Sequence, residues 1–150
     1  MNLVWRHPSG GELWQGGKTD ALALIEAFAG AQGPIKKSAL VLAAYEVQPP
    51  APPNLAGFRV PLDDCLPASQ AAEDAVRRAA GYVASGVARH LRKGRKVLVT
   101  CAAGLNRSGL ISGLTLRQLG IAGDSAVRKV RRARGPHALS NTAFERLVLE

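Results

Sequence analysis

Two cysteines in 150 residues are too few for a disulfide framework. Cys65 and Cys101 therefore read as separate thiols of a reducing compartment. No apolar run approaches the ~18 residues of a membrane-spanning helix. The opening "MNLVWRHPSGG" has no apolar core of signal-peptide length, so the expected location is cytoplasmic. The three histidines, His7, His90 and His137, are scattered. With no Cys/His cluster at zinc-ligand spacing, no metal is expected. Aromatic residues make up 5% of the chain, which leaves few rings to stack on nucleic-acid bases. Acidic residues are scarce in one half only. Residues 1–86 hold 7 Lys/Arg and 8 Asp/Glu, whereas residues 87–150 hold 13 and 3. The second half is thus a positive field that attracts anions without saying which anion.

What is present is an alternation of strands and helices. "NLVW" and "GELWQGG" are short apolar runs divided by glycine and predict a strand or hairpin. "TDALALIEAFAG" predicts a helix capped by Thr19, with Leu22, Leu24, Ile25 and Phe28 on its apolar face and Gly30 as its stop. "SALVLAAYE" reads as a strand buried on both faces. "QPPAPPN" is an irregular connection, since proline cannot continue a helix or a central strand. "GFRVPL" is a further short strand and "DDCLPAS" a loop. The longest helix is expected from about Ser69 to Lys93, with Ala72, Val76, Ala79/Ala80, Val83, Val87 and Leu91 at helical spacing and Gly94 as its stop. "KVLVT" is a buried strand, "SGLISGLTLRQLG" a buried helix, "DSAVRKVRRARG" a basic helix, and "NTAFERLVLE" closes the chain. This order predicts one α/β domain over residues 1–150, with a mainly parallel, mixed sheet of about four to five strands flanked by helices. Gly109, Ser112 and Gly113 permit close packing of the buried helix.

"GGELWQGGKT" approaches the nucleotide-binding loop pattern, but the first glycine should stand where Glu12 does. Backbone cradling depends on loop length, so a hairpin turn followed by a capped helix is the better reading.

The informative stretch is "VTCAAGLNRSGL", residues 99–110. A buried strand delivers Cys101 to the carboxyl edge of the sheet, where ligand crevices of open α/β sheets lie. Ala102, Ala103, Gly104, Leu105 and Asn106 then form a tight loop whose backbone N–H groups can turn inward. The helix beginning near Ser108 adds the positive end of its dipole. Such N–H groups beside a helix N-terminus make an anion site. Arg107 supplies a planar fork for two phosphate oxygens, which lysine cannot copy. The same surroundings favour the Cys101 thiolate, a nucleophile able to attack phosphorus.

Cys, five residues, Arg, Ser resembles the signature of the cysteine-dependent protein tyrosine phosphatases. The position of the cysteine two-thirds along the chain narrows the resemblance to the dual-specificity branch. "FRVPLDD" resembles the segment that carries that branch's general acid, and Asp64 lies 37 residues before Cys101. "LWQGGKTDA", "LVLAAYEVQP" and "AVRKVRRARGPHALSNTAFERL" resemble further landmarks, so the likeness runs through nearly the whole chain. It implies a tyrosine-phosphatase-like fold. It implies Cys101 as nucleophile and a phosphoryl cradle made by Arg107 with the backbone of Ala102, Ala103, Gly104, Leu105 and Asn106. It implies Asp64, or alternatively Asp63, as general acid, and Ser108 as a hydrogen-bond donor to the sulfur. No cofactor is implied. Asn141 fits the family's C-terminal asparagine, either as support for the loop or as a helix cap. The family usually places histidine before the cysteine, where this chain has Thr100. In some relatives a second cysteine pairs with the nucleophile; Cys65 is read first as a buried or partly exposed small residue. The substrate implied is a phosphorylated protein or peptide. The alternatives are an RNA 5′-phosphatase or triphosphatase, suggested by Asn106 before the arginine and by the basic helix, and a phosphate-binding pseudo-phosphatase, suggested by Thr100.

Overall fold

The alternation of apolar side chains along three neighbouring strands decides the layering. The computed structural model describes residues 1–29, 38–43 and 52–150. Its strands are β1 (Asn2–Arg6), β2 (Glu12–Gly16), β3 (Ser38–Leu42), β4 (Ala56–Arg59) and β5 (Lys96–Thr100). They form one five-stranded sheet in the order β1-β2-β5-β3-β4. β1 and β2 are antiparallel, and the remaining pairs are parallel, so the sheet is mixed and mainly parallel as expected. Side chains of a strand alternate between faces. Leu13, Ala39, Val41, Val97 and Val99 enter one core, while Leu40, Leu42 and Leu98 enter a second.

Helix α1 (Lys18–Ala29) covers the second core with Ala21 and Ile25. Helices α2 (Gln70–Arg92), α3 (Arg107–Gln118), α4 (Gly123–Arg134) and α5 (Thr142–Leu149) cover the first. The Ser69 hydroxyl caps α2 by accepting the Ala72 N–H (3.1 Å), a contact of about 1 kcal/mol in such positions. The α2 stripe runs through Ala80, Val83, Ala84, Val87, Ala88 and Leu91, whereas Ala79 is exposed. α3 lies in the middle of the helical layer. A Cβ on Gly113 would stand 2.6 Å from a Val148 methyl, so glycine there is a packing requirement. Among the described residues, no helix is long and apolar enough to cross a membrane.

Three sequence expectations change. Thr19 does not cap α1, because the helix already starts at Lys18. Asp20 instead reaches back to the Gly17 N–H (3.0 Å), the return half of a capping box. The hairpin turn is at His7–Gly11, where the His7 N–H bonds Gly11 O (2.8 Å) and the Gly10 N–H bonds His7 O (2.9 Å). Gly16 and Gly17 join β2 to α1, since the other edge of β2 pairs with β5. The strand "GFRVPL" is shortened to Ala56–Arg59. Gly30, residues 44–46 and residues 48–51 of the proline-rich stretch lie outside the described residues.

Candidate active site

β5 is hydrogen-bonded on both sides, to β2 and to β3, so its last residue is firmly placed. Thr100 is fully buried. Its hydroxyl donates to Val41 O (3.0 Å), and its carbonyl accepts the Ala43 N–H (2.8 Å). The side chain that stands in the histidine's place therefore serves the neighbouring strand. Cys101 follows, 2% exposed.

The next four carbonyls are all engaged from outside the loop. Ala102 O accepts the Lys18 N–H (3.1 Å). Ala103 O accepts Arg134 Nη2 (3.2 Å), and Gly104 O accepts both Arg134 Nε (3.0 Å) and Gln15 Nε2 (3.0 Å). Leu105 O accepts the Leu139 N–H (3.3 Å). In a planar trans peptide the C=O and the following N–H point in opposite directions. Four outward carbonyls thus turn the N–H groups of residues 103–106 away from those partners, toward the interior of the loop. Convergent N–H groups are a concavity for an anion.

Gly104 is required for this path. Its φ is +73°, a left-handed conformation in which side chains are strained. A Cβ there would lie 2.5 Å from the Gly16 carbonyl and 2.7 Å from Arg134 Nη2. Gly16 and Gly17, set aside as a nucleotide loop, are thus the wall against which the cysteine loop packs.

α3 begins at Arg107, with Asn106 in the capping position, so its N-terminus abuts the loop. Ser108, in its first turn, is fully buried, with Oγ 3.2 Å from Cys101 Sγ. A neutral thiol donates to this hydroxyl; a thiolate would accept from it. Arg107 Nη1 donates to Leu62 O (3.3 Å), linking the helix start to the segment after β4.

That segment carries the two carboxylates, and they have different partners. Asp64 Oδ2 accepts Asn106 Nδ2 (3.3 Å), and Oδ1 accepts Asn141 Nδ2 (3.4 Å). Asp63 instead engages Cys65. Its carboxylate, which the thiol hydrogen-bonds, holds the Cys65 thiol above the usual range. Cys65 is exposed and free, where the sequence reading expected a buried or partly exposed residue, and Cys101 is free and buried. Asn141 sits where α5 begins, and its backbone N–H donates to Asn106 Oδ1 (3.0 Å). Its own Oδ1 caps α5 by accepting the Ala143 and Phe144 N–H groups (3.1 and 3.3 Å), while its amide nitrogen faces Asp64. An open hollow of about 400 Å³ lies beside Asp64, Asn106 and Asn141.

The sequence reading missed Gln15, Lys18, Arg134 and Leu139 as supports of the loop. Gln15 carried a signal, a polar side chain inside an apolar strand, and it is fully buried. The basic helix α4 divides by partner. Arg128 pairs with Asp124 and Arg131 with Glu145, whereas Lys129 and Arg132 have no ion-pair partner among the described residues and line a groove beside β1.

No family model matches this sequence, and no curated protein matches it. Solved structures do match. Human DUSP28 superposes with a TM-score of 0.73 at 25% identity, over 99% of this chain and 92% of that one. A mouse putative dual specificity phosphatase complexed with zinc tungstate gives 0.71 at 24% identity, over 98% and 83%. The human tyrosine phosphatase-like serine/threonine/tyrosine-interacting protein gives 0.67 at 17% identity, over 99% and 92%. The chain shares the fold of the dual-specificity branch of the cysteine-dependent protein tyrosine phosphatases.

Proposed function

We propose that residues 1–150 form one catalytic domain that hydrolyses phosphomonoesters through a phosphocysteine intermediate, with a phosphorylated protein or peptide as substrate. The observation that carries this reading is the run of four outward carbonyls, Ala102 to Leu105, around a loop that opens with the buried Cys101. A dianionic phosphoryl group fits the inward N–H groups and the Arg107 fork.

In the first step the Cys101 thiolate attacks phosphorus. The S–P bond forms as the P–O bond to the leaving group breaks, and Asp64 gives its proton to the departing oxygen. Arg107 and the N–H groups stabilise the equatorial oxygens. In the second step Asp64 takes a proton from water as its oxygen attacks phosphorus. The S–P bond breaks, inorganic phosphate leaves, and Ser108 donates a hydrogen bond to the emerging thiolate. Support for Asp64 over Asp63 comes from its contact with Asn106, inside the cysteine loop. Thr100 gives its hydroxyl to Val41 O, so loop order rests on Gln15, Lys18, Arg134 and Leu139 rather than on the residue before the cysteine.

The test is a parallel panel of an aryl phosphate, phosphotyrosine, phosphoserine and phosphothreonine peptides, and 5′-triphosphate RNA, assayed between pH 5 and 8. Turnover of the aryl phosphate and of at least one peptide, with vanadate inhibition, is expected. Turnover of the RNA alone would replace the substrate. Binding of phosphopeptides with no turnover of any substrate would make the protein a phosphate-binding pseudo-phosphatase.

A further inference from the structure

Asp64 is held by two side-chain amides, and backbone chemistry decides which way each amide faces. Asn106 Oδ1 accepts the backbone N–H of Asn141 (3.0 Å) and the hydroxyl of Ser140 (3.3 Å). A backbone N–H can only donate, so the amide oxygen belongs on that side and Nδ2 is left to face Asp64 Oδ2 at 3.3 Å. Asn141 is oriented the same way. Its oxygen takes the N–H groups of Ala143 and Phe144, leaving its nitrogen for Asp64 Oδ1 (3.4 Å) and Cys65 O (3.2 Å).

The two amides differ in what anchors them. Asn106 immediately precedes Arg107, and its own carbonyl opens α3 by accepting the Leu110 N–H (2.8 Å). Its position is therefore set by the phosphate cradle itself. Residues 60–69, by contrast, contain no helix or strand that would place Asp64 independently. Arg107 Nη1 on Leu62 O also ties this segment to the helix start.

We propose that Asn106 is a positioning residue, whose side-chain amide ties Asp64 to the cradle and sets where its carboxyl stands relative to a bound phosphoryl group. The proposal rests on the reading of Asp64 as general acid. It assigns Asn106 a second role beside the backbone N–H it offers to the anion, and it makes Asn141 the lesser tether. Asn141 Nδ2 also has Cys65 O as an acceptor (3.2 Å), whereas Asn106 Nδ2 meets Asp64 Oδ2.

The experiment compares leaving groups. Phenolate is a poor leaving group that needs protonation; 2,4-dinitrophenolate leaves without it. Asn106→Ala should lower kcat/KM for phenyl phosphate by roughly tenfold to a hundredfold, part of the 10²–10⁴ that a general acid contributes. On 2,4-dinitrophenyl phosphate the loss in kcat/KM should be smaller by about tenfold or more, because that leaving group departs without the proton. Asn106→Ser, which keeps a small polar side chain, should show the same split with an unchanged melting temperature. Adding Asn106→Ala to Asp64→Ala should cost nothing further, as two residues acting through one group are non-additive. Asn141→Ser, which keeps a capping oxygen, should lose less than Asn106→Ala. Equal losses on both substrates would overturn the proposal, since they would place the effect in the cradle. An unchanged phenyl phosphate rate, or a double variant whose losses multiply, would also overturn it. A wild type without turnover, or an Asp64→Ala variant insensitive to leaving group, would overturn the acid reading and this proposal together. Those outcomes are recognised with Asn106 intact.

Discussion

The two cysteine-bearing segments contain the same nucleophile in opposite settings. Cys101 ends a central strand, is 2% exposed, and has a serine hydroxyl 3.2 Å from its sulfur. The peptides that follow it turn their N–H groups inward, and a helix begins six residues on. Cys65 lies in an irregular exposed segment, and its thiol faces the Asp63 carboxylate. One sulfur has a serine hydroxyl beside it; the other has a carboxylate for a neighbour. The reactivity proposed for Cys101 therefore belongs to its segment and not to the residue type.

The largest test of this contrast is substitution of each sulfur. Cys101→Ser should abolish aryl phosphate turnover while retaining phosphopeptide binding, because the N–H groups and Arg107 remain. Cys65→Ser should leave the rate within about twofold, the usual range for an exposed side chain without a catalytic partner. Steady-state rates and calorimetric binding on both variants check this. A comparable loss in Cys65→Ser would erase the contrast.

The second test keeps both sulfurs and damages only the backbone around one. Gly104→Ala places a Cβ 2.5 Å from the Gly16 carbonyl at a φ of +73°. Strain of this kind costs about 1–3 kcal/mol, and relief requires the loop to move. Vanadate inhibition should weaken by roughly a hundredfold or more, the scale of losing an oxyanion donor. Thermal melting and vanadate titration read the two consequences separately. Tight vanadate binding in this variant would mean that the outward carbonyls do not define the cradle.

The smallest effect concerns Cys65. A thiol held above its usual range has less thiolate at any given pH. Asp63→Asn removes the hydrogen-bonded carboxylate that is the principal cause. Iodoacetamide should then label Cys65 faster at pH 8, and its labelling curve should move to lower pH. An unmoved curve would show that Asp63 does not control this sulfur.

Much of the fold was legible because its signals are local. Helical spacing located α2 to within a residue of its ends, and the Ser69 cap and Gly94 stop lie where the sequence places them. Alternation and apolar runs located β2, β3 and β5. The misplacements were at Thr19, where Asp20 reaches back instead, and at Gly16–Gly17, which join β2 to α1 while the hairpin turn lies at His7–Gly11. The first is a choice between two neighbouring polar residues. The second depends on which strand lies beside which, and no local pattern encodes that.

For the site, the sequence by itself determined the order strand, cysteine, small-residue loop, arginine, serine, helix, because consecutive residues must lie together. It also determined that a carboxylate lay upstream, though not which of Asp63 and Asp64 contacts the cysteine loop. The tertiary structure decided what holds the loop open. Gln15 and Gly104 are 89 residues apart, and Asn106 and Asp64 are 42 apart. They meet because β5 lies between β2 and β3, which brings the β2 end to one side of the cysteine loop. The α4–α5 connection closes over Asn106 through Ser140 and Asn141. A polar side chain has no preference for a distant partner until packing has put one within 3 Å or so of it. The cysteine and arginine were thus readable from spacing, and the donors that orient them only from the assembled sheet and its helices.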